Sequence, residues 1–367
     1  MFVSHLYESL SGNFDVKVYN YKLLYPSILF PGKTQYDTSK SLVKKIPNQR
    51  LVNSISPLNW ISVAGMIKKE NADLVVFDWW HPFFAPCFFA ISSLLKKKYR
   101  NKILFITENV ISHEGNLPDK ILTRLGLFNA DKFLVLSQDV FNTIREYSGK
   151  KNVYRSELPV YDWYKEREDF DRDRERERLG YKKDDLLLLF FGYIRKYKGL
   201  DILFEAVAQL KDQYPSLRLL VVGEFYEDYN FYAKKIETLG LASVVQVIDS
   251  YVPNEDVHRY YQPADLVVLP YRSATQSGIL NIAYGFSKPV LVTNVGGLTE
   301  SVEDGSTGII VEPNSPEQII NGIKRYIELK DTTPFQDNIR NKVNENSFGK
   351  LPALFDRILN DDTDAER

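Results

Sequence analysis

The chain of 367 residues is poor in sulfur and in histidine: one cysteine (Cys87), two methionines and four histidines. A single thiol excludes an internal disulfide, and with it the class of disulfide-stapled scaffolds. No spacing of His, Cys and carboxylates matches a zinc or calcium site, so no bound metal or other cofactor is expected. Long apolar runs are missing too. The longest, residues 82–95, falls short of the about 20 residues a spanning helix needs, and it directly follows a strand-like segment, so it reads as a buried helix. The chain does not open on a basic stretch followed by an apolar run, as a secretory signal would; a cytoplasmic protein is the expectation. Neither internal repeats nor low-complexity tracts are evident, and a net charge of −1 gives no reason to expect a nucleic-acid partner.

What is present is ordinary globular material, 44% hydrophobic and 13% aromatic, at a length that suggests two domains. The near-zero net charge hides an asymmetry. Residues 1–160 hold 21 Lys and Arg against 13 Asp and Glu, and residues 161–367 hold 26 against 35. A basic half beside an acidic one suits contact with an anionic lipid surface or a phosphorylated acceptor; random drift of surface charge explains it equally well. The run Lys96-Lys97-Lys98-Tyr99-Arg100 is the best candidate for such contact, although lysines there also complement a helix C-terminus.

Apolar β-rich runs alternate with helical patterns, the signature of parallel α/β layers. Strands are predicted at 14–19, 73–77, 102–106, 132–136 and 152–155, with helices near 59–70, 83–98, 118–128 and 138–147. A second series runs from 186 to about 330. Residues 165–178 are almost entirely charged, acids and bases interspersed at helical spacing, and are predicted to form a short exposed helix ending at Gly180. The expected organisation is a first domain over 1–160, a charged linker over 161–185, a second domain over 186–335, and terminal helices over 336–367. The amphipathic segment 348–359 is the one expected to cross back to the first domain.

Three glycine-bearing turns follow strand-like runs in a fixed order. They are Phe191-Gly192-Tyr193-Ile194-Arg195-Lys196-Tyr197-Lys198-Gly199, Ala274-Thr275-Gln276-Ser277-Gly278 and Val295-Gly296-Gly297-Leu298-Thr299-Glu300. Strand ends that pass through small residues into a helix present unpaired backbone N–H groups and a positive dipole end. Open α/β sheets bind ligands at such carboxyl edges. Arg195 binds phosphate bidentately and Lys198 adds a compact charge. A diphosphate is the natural guest of Gly192, Arg195, Lys198, Thr275, Gln276, Ser277 and Gly278. Thr275 and Ser277 also suit ordinary helix N-capping.

The ordered set Gly-x-x-Arg-x-x-Lys-Gly, Asp-Leu-Val-Val-Leu-Pro-Tyr, Lys-Pro-Val and Val-Gly-Gly-x-x-Glu resembles the retaining GT-B glycosyltransferases, the large group that includes family 4. The resemblance covers 186–328 most clearly. It implies two Rossmann-like domains with parallel sheets facing each other, a UDP- or GDP-sugar donor held by the second and an acceptor presented by the first. It implies transfer with retention to a cell-surface polysaccharide or glycolipid precursor, and a possible peripheral place at the inner face of the membrane. His113, Arg195 and Lys198 would be catalytic, His113 matching the location of a histidine that approaches the donor sugar. Glu224, Asp249, Tyr251 and Glu300 follow further strands or turns and are candidates for base and ribose. Trp79, Trp80, His81, Asn109 and Glu114 lie at two strand ends of the first half. Aromatic faces stack on sugars there and polar groups meet hydroxyls. Packed tryptophans and a hydrogen-bonded core histidine explain Trp79, Trp80 and His81 equally well.

The sequence departs from the family in one respect. Two glutamates eight residues apart are usual where this chain has Ala274 and Ile282, so those carboxylate contacts do not carry over. The departure keeps two alternatives open, a non-catalytic nucleotide-sugar-binding protein and a sugar-nucleotide epimerase. One further expectation concerns the start. Residues 2, 3, 6 and 10 are apolar at helical spacing and a strand follows Gly12-Asn13. The order is helix then strand, as though an opening strand and glycine turn, which the family has at this place, lay upstream.

Overall fold

The computed structural model describes residues 2–26, 46–110, 117–149, 151–161, 163–275 and 277–360. They divide into two compact units. One is built from the described residues up to Leu158 together with the segment from Phe348 onward; the other spans Pro159–Ser347.

In chain order the first unit comprises α1 (Phe2–Ser11), β1 (Val18–Leu23), β2 (Asn48–Asn53), α2 (Pro57–Glu70), β3 (Val75–Trp79), α3 (Ala85–Lys96), β4 (Ile103–Thr107), α4 (Leu117–Gly126), β5 (Lys132–Val135), α5 (Gln138–Ser148) and β6 (Asn152–Arg155). Strands β3-β4-β5-β6 pair side by side and parallel. β1 and β2 form a separate parallel pair. Every residue of β4 and β5 is buried, as strands covered on both faces must be. The core gathers Phe77, Phe105 and Phe133 with Phe84, Phe88, Ile91 and Leu95 from the segment predicted as a buried helix.

The second unit comprises α6 (Arg172–Arg178), β7 (Leu186–Phe191), α7 (Leu200–Leu210), β8 (Leu217–Val222), α8 (Tyr229–Thr238), β9 (Val245–Ile248), α9 (His258–Tyr261), β10 (Leu266–Leu269), α10 (Gly278–Gly285), β11 (Val290–Thr293), β12 (Gly308–Val311), α11 (Pro316–Leu329) and α12 (Phe335–Glu345). Its six strands are all parallel in the order β12-β11-β10-β7-β8-β9. The last helix, α13 (Leu351–Leu359), belongs to the first unit. It buries Leu351, Phe355 and Ile358, and the Ile358 carbonyl accepts from Lys132 Nζ. Just before it, Phe348 meets Phe2 and His5 of α1 at ring distances of 6.0 and 5.0 Å.

The structure differs from the sequence reading in three places. The first strand is Val18–Leu23, four residues later than predicted, because its partner is β2, a strand the pattern did not show. β2 reads Asn-Gln-Arg-Leu-Val-Asn and buries only Val52. The charged stretch is not a linker. It lies within the second unit, and its Arg176 is 1% exposed. That guanidinium donates to the carbonyls of Pro263, Lys183 and Asp185 and to Asp265 Oδ2 at 2.7 Å, so the helix is bolted to the sheet. Finally, the second unit extends to Ser347 and includes α12, past the boundary expected at 335. Among the described residues no helix is long and apolar enough to cross a membrane.

Candidate functional site

In the second unit β7 lies between β8 and β10, so the chain leaves β7 to one side and returns beside it on the other. Such a switch point opens a crevice at the carboxyl ends of the two strands, where α/β sheets take their ligands. The turns after β7 and β10 both emerge there.

Their glycines show how closely they approach. Gly192 has φ +98°, and a Cβ on it would stand 2.9 Å from Ile279 Cδ1 and 3.1 Å from Lys198 Nζ. The turn after β7 therefore rests on the first turn of α10 with the lysine beneath it. A Cβ on Gly296 (φ +48°) would lie 1.6 Å from the Ala274 carbonyl oxygen, and Gly297 N donates to Thr275 O at 3.1 Å. The third turn is thus pressed onto the second. Gly192, Lys198, Thr275, Ser277, Gly278 and Gly296 are brought to one sheet edge. At Gly278 a Cβ would meet nothing within 4 Å. Ser277 precedes α10 without capping it and hydrogen-bonds Tyr271 instead. The amino end of α10 is left for a ligand to approach.

The electrostatics point the same way. Lys198 is 6% exposed, with its ammonium 5.7 Å from the Tyr271 ring centre. Burial, and secondarily the charge of Arg195, pull its pKa down to about 7. Among the described residues no carboxylate forms an ion pair with it. A buried amine in that condition lacks an anion, and a phosphate oxygen would supply one. The Arg195 guanidinium lies 4.9 Å from the Tyr226 ring centre, and Tyr226 is in turn packed on Tyr193 at 4.6 Å. The arginine is held by stacking, and its hydrogen-bonding edge is not committed to a carboxylate among the described residues. Arg272 fixes the turn that carries both cations. Its Nη1 donates to Lys196 O at 2.7 Å, its two Nη atoms grip Asp201 at 2.9 and 2.7 Å, and its backbone N donates to Tyr197 O. Tyr226, Tyr271 and Arg272 were not picked out by sequence reasoning. Tyr271-Arg272 directly follows β10, and that position was the available signal.

Other candidates are placed less tellingly. Glu224 is buried beside Gly223, and its carbonyl accepts from Ile194 N at 2.9 Å. Asp249 Oδ1 accepts from Phe225 N at 3.1 Å, so one carboxylate oxygen already serves the turn. Tyr251 is exposed, and Glu300 is half-buried with its N–H on Gly297 O. His113, Glu114 and Gln276 lie outside the described residues.

In the first unit one expectation is corrected. Trp79 is 0% exposed, and a Cβ on Gly126 would come within 2.3 Å of its ring; it is core, with no face for a sugar. Trp80 packs on Phe84 at 4.6 Å, and His81 Nδ1 accepts from Phe83 N at 3.1 Å, capping the short turn Pro82–Phe84. Asn109 is half-buried just past β4. Beside these stand two carboxyls, Asp78 and Glu108, of which sequence reasoning passed over Glu108. Both are held above the usual carboxylate range by burial, Asp78 also by the charge of Glu108.

The architecture, two Rossmann-like units with parallel sheets, is that of the GT-B glycosyltransferases. A sucrose-phosphate synthase from Thermosynechococcus elongatus superposes with a TM-score of 0.73 at 17% identity, covering 100% of this chain and 93% of that one. HepE from Anabaena, in complex with UDP, gives 0.71 at 18% identity, covering 86% of each chain. Residues 171–347 match the family model of the glycosyl transferases group 1. The chain therefore carries a group 1 glycosyltransferase domain, and the turns described above all lie in it. In sequence, a D-inositol 3-phosphate glycosyltransferase from Catenulispora acidiphila is 34% identical over 166 residues, 43% of this chain and 40% of that protein. A lipopolysaccharide 1,2-N-acetylglucosaminetransferase from Salmonella typhimurium is 29% identical over 167 residues, 44% of each. The matches span less than half the length of such relatives.

Proposed function

We propose that this protein is a glycosyltransferase that moves a sugar, with retention, from a UDP- or GDP-sugar to a cell-surface polysaccharide or glycolipid precursor. The observation that carries the reading is the buried Lys198, without a carboxylate partner among the described residues, beneath Gly192 and beside Arg195 and the amino end of α10. Breaking the bond between sugar and diphosphate leaves negative charge on the leaving phosphate. Cations and backbone dipoles fixed beforehand at that point lower the barrier without a covalent intermediate. Lys198 and Arg195 offset the charge that a metal ion offsets elsewhere, so the reaction is expected to survive chelators. The solved Anabaena HepE structures hold UDP and UDP-glucose, which supports a uridine donor ahead of a guanosine one. The lipopolysaccharide relative and the basic first half support an acceptor at a membrane surface, with the protein peripheral to it. His113 is proposed to meet the donor sugar, Glu224, Asp249, Tyr251 and Glu300 the nucleoside side, and Trp80, His81, Asn109 and Glu114 the sugar or acceptor.

Ala274 and Ile282, where the family usually has glutamates, favour a second reading as a nucleotide-sugar-binding protein without turnover. Incubating the purified chain with UDP- and GDP-sugars, with and without EDTA, separates the two. Release of UDP or GDP supports transfer; binding without release supports the second reading; conversion of the donor to its epimer overturns both.

A further inference from the structure

The second unit has another crevice, at the opposite edge of its sheet. There the amino ends of β10 and β11, the end of α9 and the start of α6 meet the turn from α11 into α12. They border a cavity of about 520 Å³, a size within the range of small-molecule sites. The glycine turns of the donor site lie at the carboxyl ends of the same strands, so the two places do not overlap.

Lys288 lies buried in the wall of this cavity. It opens the Lys-Pro-Val run, for which the donor site has no use. Its ammonium donates to the Gln262 carbonyl at 2.8 Å and forms no ion pair among the described residues. The carboxylates of the same wall are already taken. Asp265 holds Arg172 and, at 2.7 Å, Arg176. Glu166 and Asp337 hold Arg340 at 2.7 and 2.9 Å. Lys330, a further cation of the wall, pairs with Asp331 at 3.0 Å. Lys288 is the charge left over. Burial, with the charge of Arg172 next, pulls its pKa down to about 8, because no counter-charge offsets the loss of water. Gln262 carries a second unmet demand. It is 7% exposed and lines the cavity, yet its Oε1 is buried without a hydrogen-bond partner. Buried amides are nearly always bonded, and among the described residues no side-chain bond of Gln262 fixes which end of its amide faces the cavity.

We propose that this cavity binds a small sugar phosphate, its phosphate on Lys288 and one of its hydroxyls on the Gln262 amide. Lysine takes phosphate as a point charge, and Arg172 stands on the same wall. The amide oxygen needs a donor, which a sugar hydroxyl supplies. Phe335 and Pro289 give the wall an apolar part and Thr333 and Gln336 a polar one, the mixture that the C–H face and the hydroxyl rim of a sugar ring require. The site is separate from the donor turns, and its occupation does not depend on Arg195 or Lys198.

The test uses the full chain carrying Arg195→Ala and Lys198→Ala, so that phosphate binding at the donor turns is removed. Glucose 6-phosphate, inorganic phosphate and glucose are each titrated calorimetrically. Saturable binding of glucose 6-phosphate is expected, with inorganic phosphate at least about tenfold weaker and no detectable binding of glucose. Adding Lys288→Met is expected to weaken glucose 6-phosphate by about tenfold or more with the melting curve preserved. Gln262→Leu is expected to lower the affinity for glucose 6-phosphate and to leave that for inorganic phosphate unchanged. Hydrogen exchange needs no change at either residue: glucose 6-phosphate is expected to slow the amides of 262–265 and 333–337 severalfold. No saturable binding, an affinity indifferent to Lys288→Met, or protection confined to other segments would each overturn the proposal. Equal affinity for inorganic phosphate and glucose 6-phosphate would overturn it too, as an anion site with no place for the sugar.

Discussion

Lys198 shows how a single side chain can be unfavourable for the fold and useful at the site. Its pKa is drawn from 10.5 down to about 7 by burial and by Arg195, so it opposes folding wherever the unfolded lysine is protonated. The penalty is complete below pH 7 and fades between 7 and 10.5. Replacing it with methionine is expected to raise the melting stability at pH 7 by about 1–3 kcal/mol and to weaken nucleoside-diphosphate binding by about 1.5–3 kcal/mol. A bound diphosphate favours the ammonium form, so binding above pH 7 must take up a proton. Affinity is therefore expected to be level below about pH 6.5 and to fall by up to about tenfold per pH unit above 7. Calorimetric titration in buffers of different ionisation enthalpy measures both effects. A pH-independent affinity with no proton uptake would show that Lys198 does not meet the phosphate.

The turns owe their geometry to the elements that carry them. Gly296 has no room for a side chain against Ala274. Gly296→Ala is expected to lift the third turn off the second and to cut nucleotide affinity by at least about tenfold, read by titration of the folded variant. Unchanged affinity would place the ligand away from the 274–278 turn. This level of organisation was legible in the sequence because strand, glycine turn and helix are local patterns that announce themselves in order. Contacts made between distant segments were not. Tyr226 under Arg195 and Arg272 gripping Asp201 depend on which strands lie side by side. Arg176 sits in a run of charges that looks solvated, and its burial depends on carbonyls at Pro263 and Asp185. Trp79 has the composition of a sugar platform; only the packing against Gly126 makes it core.

At the scale of the whole molecule, each unit closes its own core, but the chain visits the first unit twice. The return segment buries Phe348, Leu351, Phe355 and Ile358 in a unit whose other residues precede Pro159. Ending the chain after Ser347 is expected to lower the melting temperature of the first unit by several degrees, since a handful of buried apolar side chains contributes about 1.5–3 kcal/mol each. The second unit is expected to keep its stability and its affinity for UDP. Hydrogen exchange resolved by segment reads both. Equal loss in both units would contradict the assignment of this segment.

The central claim is that the carboxyl edge between β7 and β10 is a nucleoside-diphosphate site built on Arg195 and Lys198. Isothermal titration of UDP and GDP into the intact chain and into the Arg195→Ala/Lys198→Ala double variant tests it most directly. The account predicts saturable binding of at least one nucleotide by the intact chain, and a loss of about 3–6 kcal/mol in the variant with its melting curve preserved. Equal affinity of the two proteins for both nucleotides would contradict it.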